Sequence, residues 1–210
     1  MIAQLDHLTA IVVGAVLLLA LFAVQQRSTT AAVEATLTQA ARVHADGILE
    51  VVADDVENVL TPAQALLAPV RCPIRLTSDG ERTTEACFTA NVRTDTTNAV
   101  GVSPFAAGTV RYTLTPTRRM WLGSDSVDVF RLDRTTDLGL GTGPQTQSLG
   151  DVVDFDLLFV ERDARVTEAA IALATAADVP ASRSSDQVST REALVHAAAT
   201  VRPVNATTSL

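Results

Sequence analysis

From Leu8 to Val24 the chain carries no charged side chain (LTAIVVGAVLLLALFAV), and the first proline after that run is Pro62. An apolar run of this length sits at the lower edge of what spans a bilayer as a helix, and a helix that meets no proline has no reason to stop where the lipid does. One membrane-embedded helix continuing far into water is therefore expected. A secretory signal peptide would show a basic start and a small-x-small cleavage site. Ahead of the run stand only Met1 to His7, with Asp6 the one charged residue, and behind it come Gln25, Gln26 and Arg27. The segment reads as an anchor rather than as a cleaved signal or a buried core helix.

Beyond Arg27 a helical stripe recurs at Val33, Leu37, Ala40 or Ala41, His44, Ile48, Val51 or Val52, Val56 and Leu60, three or four residues apart. The opposite face carries Glu34, Arg42, Asp46, Glu50, Asp54 and Glu57, so this half should lie on a domain with one side only. Gly47 is tolerated at about 1 kcal/mol, and Leu60-Thr61-Pro62 supplies the expected stop. At 1.5 Å per residue a helix from Leu5 to Leu60 is about 80 Å long. No Gly/Ser/Pro-rich linker separates the apolar run from Pro62. The expected organisation is a membrane or filament-core half (1–27), an amphipathic half of the same helix (28–62) and a β-sheet head (63–210).

The 210 residues allow an anchor plus one domain of ordinary size. A net charge of −8 without a clustered basic patch argues against a nucleic-acid partner. All sixteen basic residues are arginine, which reads as a coding or habitat bias. Cys72 and Cys87 lie near the ends of RCPIRLTSDGERTTEACF, where Ser78-Asp79-Gly80 signals a turn between two strand-like runs. A disulfide closing that hairpin, stable only outside the reducing cytoplasm, is one reading, and two unpaired core cysteines are the other. Arg27 alone does not settle topology by the positive-inside rule. The cysteine pair and the threonine-rich body place the C-terminal domain outside.

From Pro69 onward short runs rich in valine, threonine and aromatics are punctuated by glycine, proline and aspartate. Strands are expected near Pro69 to Leu76, Ala86 to Val92, Thr109 to Pro116, Ser126 to Asp133, Val152 to Glu161, Thr167 to Thr175 and Glu192 to Pro203. Intrinsic propensity alone would make the alanine-rich Ala164 to Ala177 a helix.

Few residues offer site chemistry. Consecutive acids such as Asp54, Asp55 and Glu57 point to different helix faces and ordinarily only solvate it. His44 and His196 lack a second histidine or cysteine at ligand spacing and are expected to be packed or hydrogen-bonded. The glycine-rich Leu138 to Gly143 has no following lysine or helix and reads as a loop. Trp121, beside Met120 and Leu122, suits a core or a contact between subunits, and Ser182 to Ser189 an exposed loop. Asn205-Ala206-Thr207 fits a glycosylation sequon. No nucleophile with base and orienting group, no metal cage and no cofactor motif is evident, so no catalytic, metal or cofactor residue is expected.

In order, GTVRYTLTPTRRMWL, SVDVFRLDRTTD, LGDVVDFDLLFVERDARV and REALVHAAATVRPVN resemble the sheet domain of type IV pilin-like proteins, especially the minor pseudopilins of type II secretion. The resemblance rests on Arg111 and Tyr112, then Phe130 and Arg131, then Val152, Phe155, Leu157, Phe159 and Glu161, and on the closing ATVRPVN. Together with the N-terminal helix it covers nearly the whole chain. It implies an α+β, pilin-like fold, with a long N-terminal membrane-embedded helix packed on a C-terminal antiparallel β-sheet domain, and it makes Glu168 to Ala174 extended. Family members carry a short basic leader ending in glycine and a glutamate close to the mature N terminus. Here no leader precedes Met1, and the nearest acid is Asp6.

The resemblance implies assembly into a filament with copies of itself or related pilins, after residence as a single-pass inner-membrane protein. The fibre is extracellular or periplasmic, and an assembly platform and an ATPase serve as partners. The surface expected to assemble is Asp6, Leu8, Ile11, Val12, Gly14, Ala15, Leu18, Leu19 and Phe22. An isolated carboxylate in lipid or a filament core costs several kcal/mol, so Asp6 is expected to pair with a neighbour's terminal amine and pin the register. Alternatively it marks the water-facing edge of the span. A monomeric, membrane-tethered extracytoplasmic binding domain is the alternative function, and an anchored enzyme a third.

Overall fold

The computed structural model describes residues 2–93, 105–122, 125–139, 141, 143–163, 165–176 and 194–204. The chain divides into two units, Met1–Ala40 and Ala41–Leu210. Helix α1 spans Ile2–Glu57. It ends short of the expected stop because the next residues are taken by a strand. Leu60 N–H donates to the Thr89 carbonyl at 2.9 Å, and Asn91 N–H donates to the Asn58 carbonyl at 2.9 Å. Pro62 instead opens the single-turn helix α2 (Pro62–Ala65), where Thr61 and Gln64 form a capping box.

Eight strands follow among the described residues: β1 (Arg75–Ser78), β2 (Thr83–Arg93), β3 (Phe105–Leu122), β4 (Asp125–Asp137), β5 (Gln145–Val152), β6 (Asp154–Arg162), β7 (Arg165–Ala176) and β8 (Leu194–Val201). The architecture is α+β and antiparallel, with two sheets in the orders β1-β2-β3-β4-β5 and β6-β7-β8. The chain changes sheets at Val153. Val152 still pairs with Phe130, Val153 N–H donates to the Ala174 carbonyl at 2.7 Å, and Asp154 is already opposite Ala174.

β5 lies where no strand was expected. Its QTQSLGDV sequence is polar and mostly exposed, so it lacks the apolar alternation that marks a half-buried strand. β1 is shorter and later than expected, because Pro73 brings no N–H and Cys72 is tied elsewhere. The Thr89 hydroxyl accepts from Cys72 N–H and donates to its carbonyl, both at 2.9 Å. β7 is extended despite its alanines. Ala169, Ile171 and Leu173 face the core while Ala170 and Ala172 face out, and ladders on both sides override intrinsic propensity.

The core of the Ala41–Leu210 unit draws on all three layers. Ala45, Ile48, Val52, Val56 and Val59 pack with Ala86, Phe88, Val110, Tyr112 and Leu132 from one sheet and Phe155, Leu157, Ile171 and Leu173 from the other. Phe88 lies 5.6 Å from Phe159 and 6.2 Å from Tyr112, and Tyr112 lies 6.0 Å from Phe155, so aromatic contacts cross between the sheets. Two polar links add direction. Thr175 Oγ1 donates to the Ala41 carbonyl at 3.1 Å, and the Thr83 hydroxyl accepts from Leu157 N–H at 3.2 Å.

Candidate functional site: an exposed apolar helix and a buried ion pair

From Val12 to Val24, within the first unit, α1 is apolar on every face rather than along one stripe. Val12, Val13, Val16, Leu17, Leu18, Leu19, Leu21, Phe22 and Val24 are all exposed, with Leu18 and Leu19 at 69 %. The described helix from Val12 is long and apolar enough to cross a membrane by length and composition. A helix apolar all round is one that needs an apolar environment on all sides. Of the expected assembly residues, Val12, Ala15, Leu18, Leu19 and Phe22 are exposed and Gly14 is half-buried. A Cβ added at Gly14 would meet nothing within 4 Å. Asp6, Leu8 and Ile11 lie on α1, and their side chains are outside the described ones.

Further along α1 the expected stripe is only partly right. Of the stripe, Ala41, Ile48, Val52 and Val56 are buried, as is Leu60 just past the helix end, whereas Leu37 is half-buried and Val33 and His44 are exposed; Ala45 is buried beside them. His44 is nonetheless in close contact with Gly150, where a Cβ would meet the His44 ring at 2.3 Å. His196 is exposed on β8 instead of packed.

The larger departure is Asp55, expected to solvate the helix and in fact 6 % exposed. Its carboxylate accepts from Arg134 Nε and Nη2, both at 2.6 Å, and from the Tyr112 hydroxyl. Tyr112 and Arg134 are directly opposed across β3 and β4, so the ladder presents both donors to the helix together. Burial, then the Asp55 charge, pushes the Tyr112 hydroxyl well above its ordinary pKa, and hydrogen bonding to Asp55 raises Arg134 further. The group is a fully paired internal anchor without a free acid or base. The signal was present in the sequence. Asp55 follows Val52 by three positions on the inward stripe, and Arg134 shares the Leu132 face of β4.

The cysteine expectation has its counterpart in the hairpin. Cys72 and Cys87 lie at disulfide distance, with Cα atoms 6.1 Å apart, and β1 pairs antiparallel with β2. At the turn Asp79 accepts from Glu81 N–H at 3.0 Å and Arg82 N–H at 2.9 Å, which holds its carboxyl below the usual range. Arg82 lies over the Phe130 ring, 4.7 Å from its centroid.

The motif residues divide by face. Tyr112, Val152, Phe155 and Leu157 are buried, Phe130 and Phe159 half-buried, and Arg111, Arg131 and Glu161 exposed. Gly139, Gly141 and Gly143 all have positive φ, which fits a loop. Met120 is half-buried, while the side chains of Trp121 and Leu122, the Ser182 to Ser189 stretch and the Asn205 sequon lie outside the described residues. Among the described residues no group of three His, Cys, Asp or Glu stands where it would hold a metal ion. No protein-family model, curated protein or solved structure matches the chain.

Proposed function

We propose that this chain is a structural subunit of a type IV pilus-like filament, a pilin or pseudopilin, that polymerises through its N-terminal helix. The observation that carries the reading is the exposure of apolar side chains on every face of α1 from Val12 to Val24, on a helix that reaches Glu57 and the Asp55 anchor. Before assembly the apolar half resides in the inner membrane as a single span. In the extracellular or periplasmic fibre the same surface is buried among copies of itself, with a platform and an ATPase as partners by resemblance.

Moving such a helix from lipid into a bundle of like helices brings little hydrophobic gain, because lipid tails are as apolar as leucine. Packing and polar pairing then decide the register, which is where Asp6 acts, against a neighbouring terminal amine. A head-to-tail contact that does not close into a ring extends into a helical fibre.

The test is electron microscopy of cells and of the purified chain, with Asp6→Ala beside it. Fibres containing the chain, and an Asp6→Ala variant that inserts normally but assembles poorly or with altered order, are expected. A chain that stays monomeric in detergent and forms no fibres belongs to a tethered binding domain instead. Unchanged fibre yield from Asp6→Ala removes the pinning role alone.

A further inference from the structure

Among the described residues the two sheets have four edge strands, β1, β5, β6 and β8, and an open edge is a row of unpaired N–H and C=O groups that templates another strand unless something guards it. Three edges are guarded. β1 is four residues long with a register shift at Thr77/Ser78. β5 meets β4 through a register shift and contains Gly150 at φ +130°. β6 carries Asp154, Asp156, Glu161 and Arg162 and shifts register at Val160/Glu161.

β8 has none of these devices. LVHAAATV contains no Asp, Glu, Lys or Arg, no proline and no glycine, and its register with β7 is unbroken from Ala169↔Val201 to Ala176↔Leu194. Among the described residues no strand lies on its other side. Ala198 is exposed, and so are Ala170 and Ala172 on β7 and Leu158 on β6. The first sheet differs: its exposed Arg111, Arg118, Arg119 and Arg131 pair with Glu85, Asp151, Asp128 and Asp133.

We infer that the β8 edge pairs antiparallel with the β8 edge of a second copy, about a twofold axis at Ala198. A strand added here must itself be an open edge, and β8 is the unguarded one. Two chains of net charge −8 repel, so copies meet most readily along a segment free of acids on both sides. Faces and paired length together select this register: centred on Ala197, half-buried Leu194 would meet exposed Thr200, and centred on Ala199 only five residues of β8 would pair. With Ala198 opposite Ala198, His196 meets Thr200 and Val195 meets Val201, so exposed positions match exposed ones and half-buried positions match half-buried ones. A shift of one residue would mix the faces. Ala197, Ala198 and Ala199 let the backbones close without large side chains in the way. A twofold contact closes on itself. It therefore joins copies in pairs, is additional to the filament contact, and stands without it.

Single cysteines added to the full chain, with the Cys72–Cys87 pair left in place and the protein held in detergent micelles, test the pairing under mild oxidation. Ala198→Cys places two thiols at opposed positions with Cα atoms about 4.5–5.5 Å apart, within disulfide reach. A covalent dimer is expected from Ala198→Cys and not from Leu158→Cys on guarded β6. Ala198→Lys, at an exposed position, keeps the fold and opposes two like charges, weakening the non-covalent dimer by about fivefold. Absence of the Ala198→Cys dimer, an equal yield from Leu158→Cys, or β8 amides protected from exchange in a monomer covered by its own chain overturns the inference. Leu18→Cys reports the helix contact separately, so failure of the filament reading is distinguishable from failure of this one.

Discussion

Asp55 on α1 and Arg134 on β4 meet through two parallel hydrogen bonds of 2.6 Å, at side-chain exposures of 7 % and 16 %. Asp55 stands in the last turn of a helix whose end carries partial negative charge and no basic residue, so it needs a cation from elsewhere. The pair gains its worth mostly by being complete. Removing one partner strands the other in the core, at about 3–5 kcal/mol, whereas replacing both by apolar groups of similar volume is far less costly. Arg134→Met should therefore lower the thermal midpoint of the sheet signal in circular dichroism strongly, and Asp55→Leu/Arg134→Met should recover most of the loss. Equal loss in single and double variants would contradict the pairing.

Tyr112 is the chain's one tyrosine, so its titration can be followed directly. Its folded pKa is raised above the unfolded value of about 10, so the neutral form is what the fold favours. The linked stability is fully present below about pH 10 and is lost as pH rises toward the folded pKa. Ultraviolet spectroscopy should find no tyrosinate in the native protein near pH 10. The band should rise together with loss of sheet signal at higher pH. A tyrosinate signal appearing at the ordinary pKa with the sheet intact would show the hydroxyl to be solvent-exposed.

How far the fold was legible follows from which signals are local. The long apolar run and the absence of proline before Pro62 are local, and α1 is correspondingly clear. Its end is not, because Asn58 to Leu60 are claimed by β2, a partner distant in sequence. β7 was legible only by going against alanine propensity, and β5 was not, because an edge strand of Gln, Thr and Ser carries no alternation. Asp55 and Arg134 were read separately as a solvating acid and an unremarked arginine. Asp55 sits among buried Ile48, Val52 and Val56 and Arg134 follows buried Leu132 by two positions, and only the pairing of Tyr112 with Arg134 across β3 and β4 brings the three together. The Leu8 to Phe22 surface was legible as apolar, while what covers it belongs to the proposed assembly.

The Cys72–Cys87 pair closes a sequence separation of 15 residues around the Asp79 turn. A crosslink of that span is worth about 3 kcal/mol in the chain-entropy model. Intact mass of the native protein before and after alkylation should show no free thiol. Cys72→Ser with Cys87→Ala should lower the thermal midpoint while leaving β2 in place, since its other ladder runs to β3. Free thiols in the native form would remove the crosslink and leave two core cysteines.

Gly150 and His44 make a contact that tests the packing of helix on sheet. Gly150 holds φ at +130°, a conformation that side chains rarely adopt, and a Cβ there would meet the His44 ring at 2.3 Å. Gly150→Ala should therefore cost about 1–3 kcal/mol from the backbone alone, with the steric clash added. His44→Ala removes the ring and should relieve the second part without the first. The double variant is then expected to lie between wild type and Gly150→Ala in thermal stability, with a favourable coupling between the two sites. Additive effects would mean that His44 does not stand against β5 in solution. Because His44 lies on the Ala41–Glu57 stretch of α1, loss of coupling would also remove one contact by which β5 meets the helix.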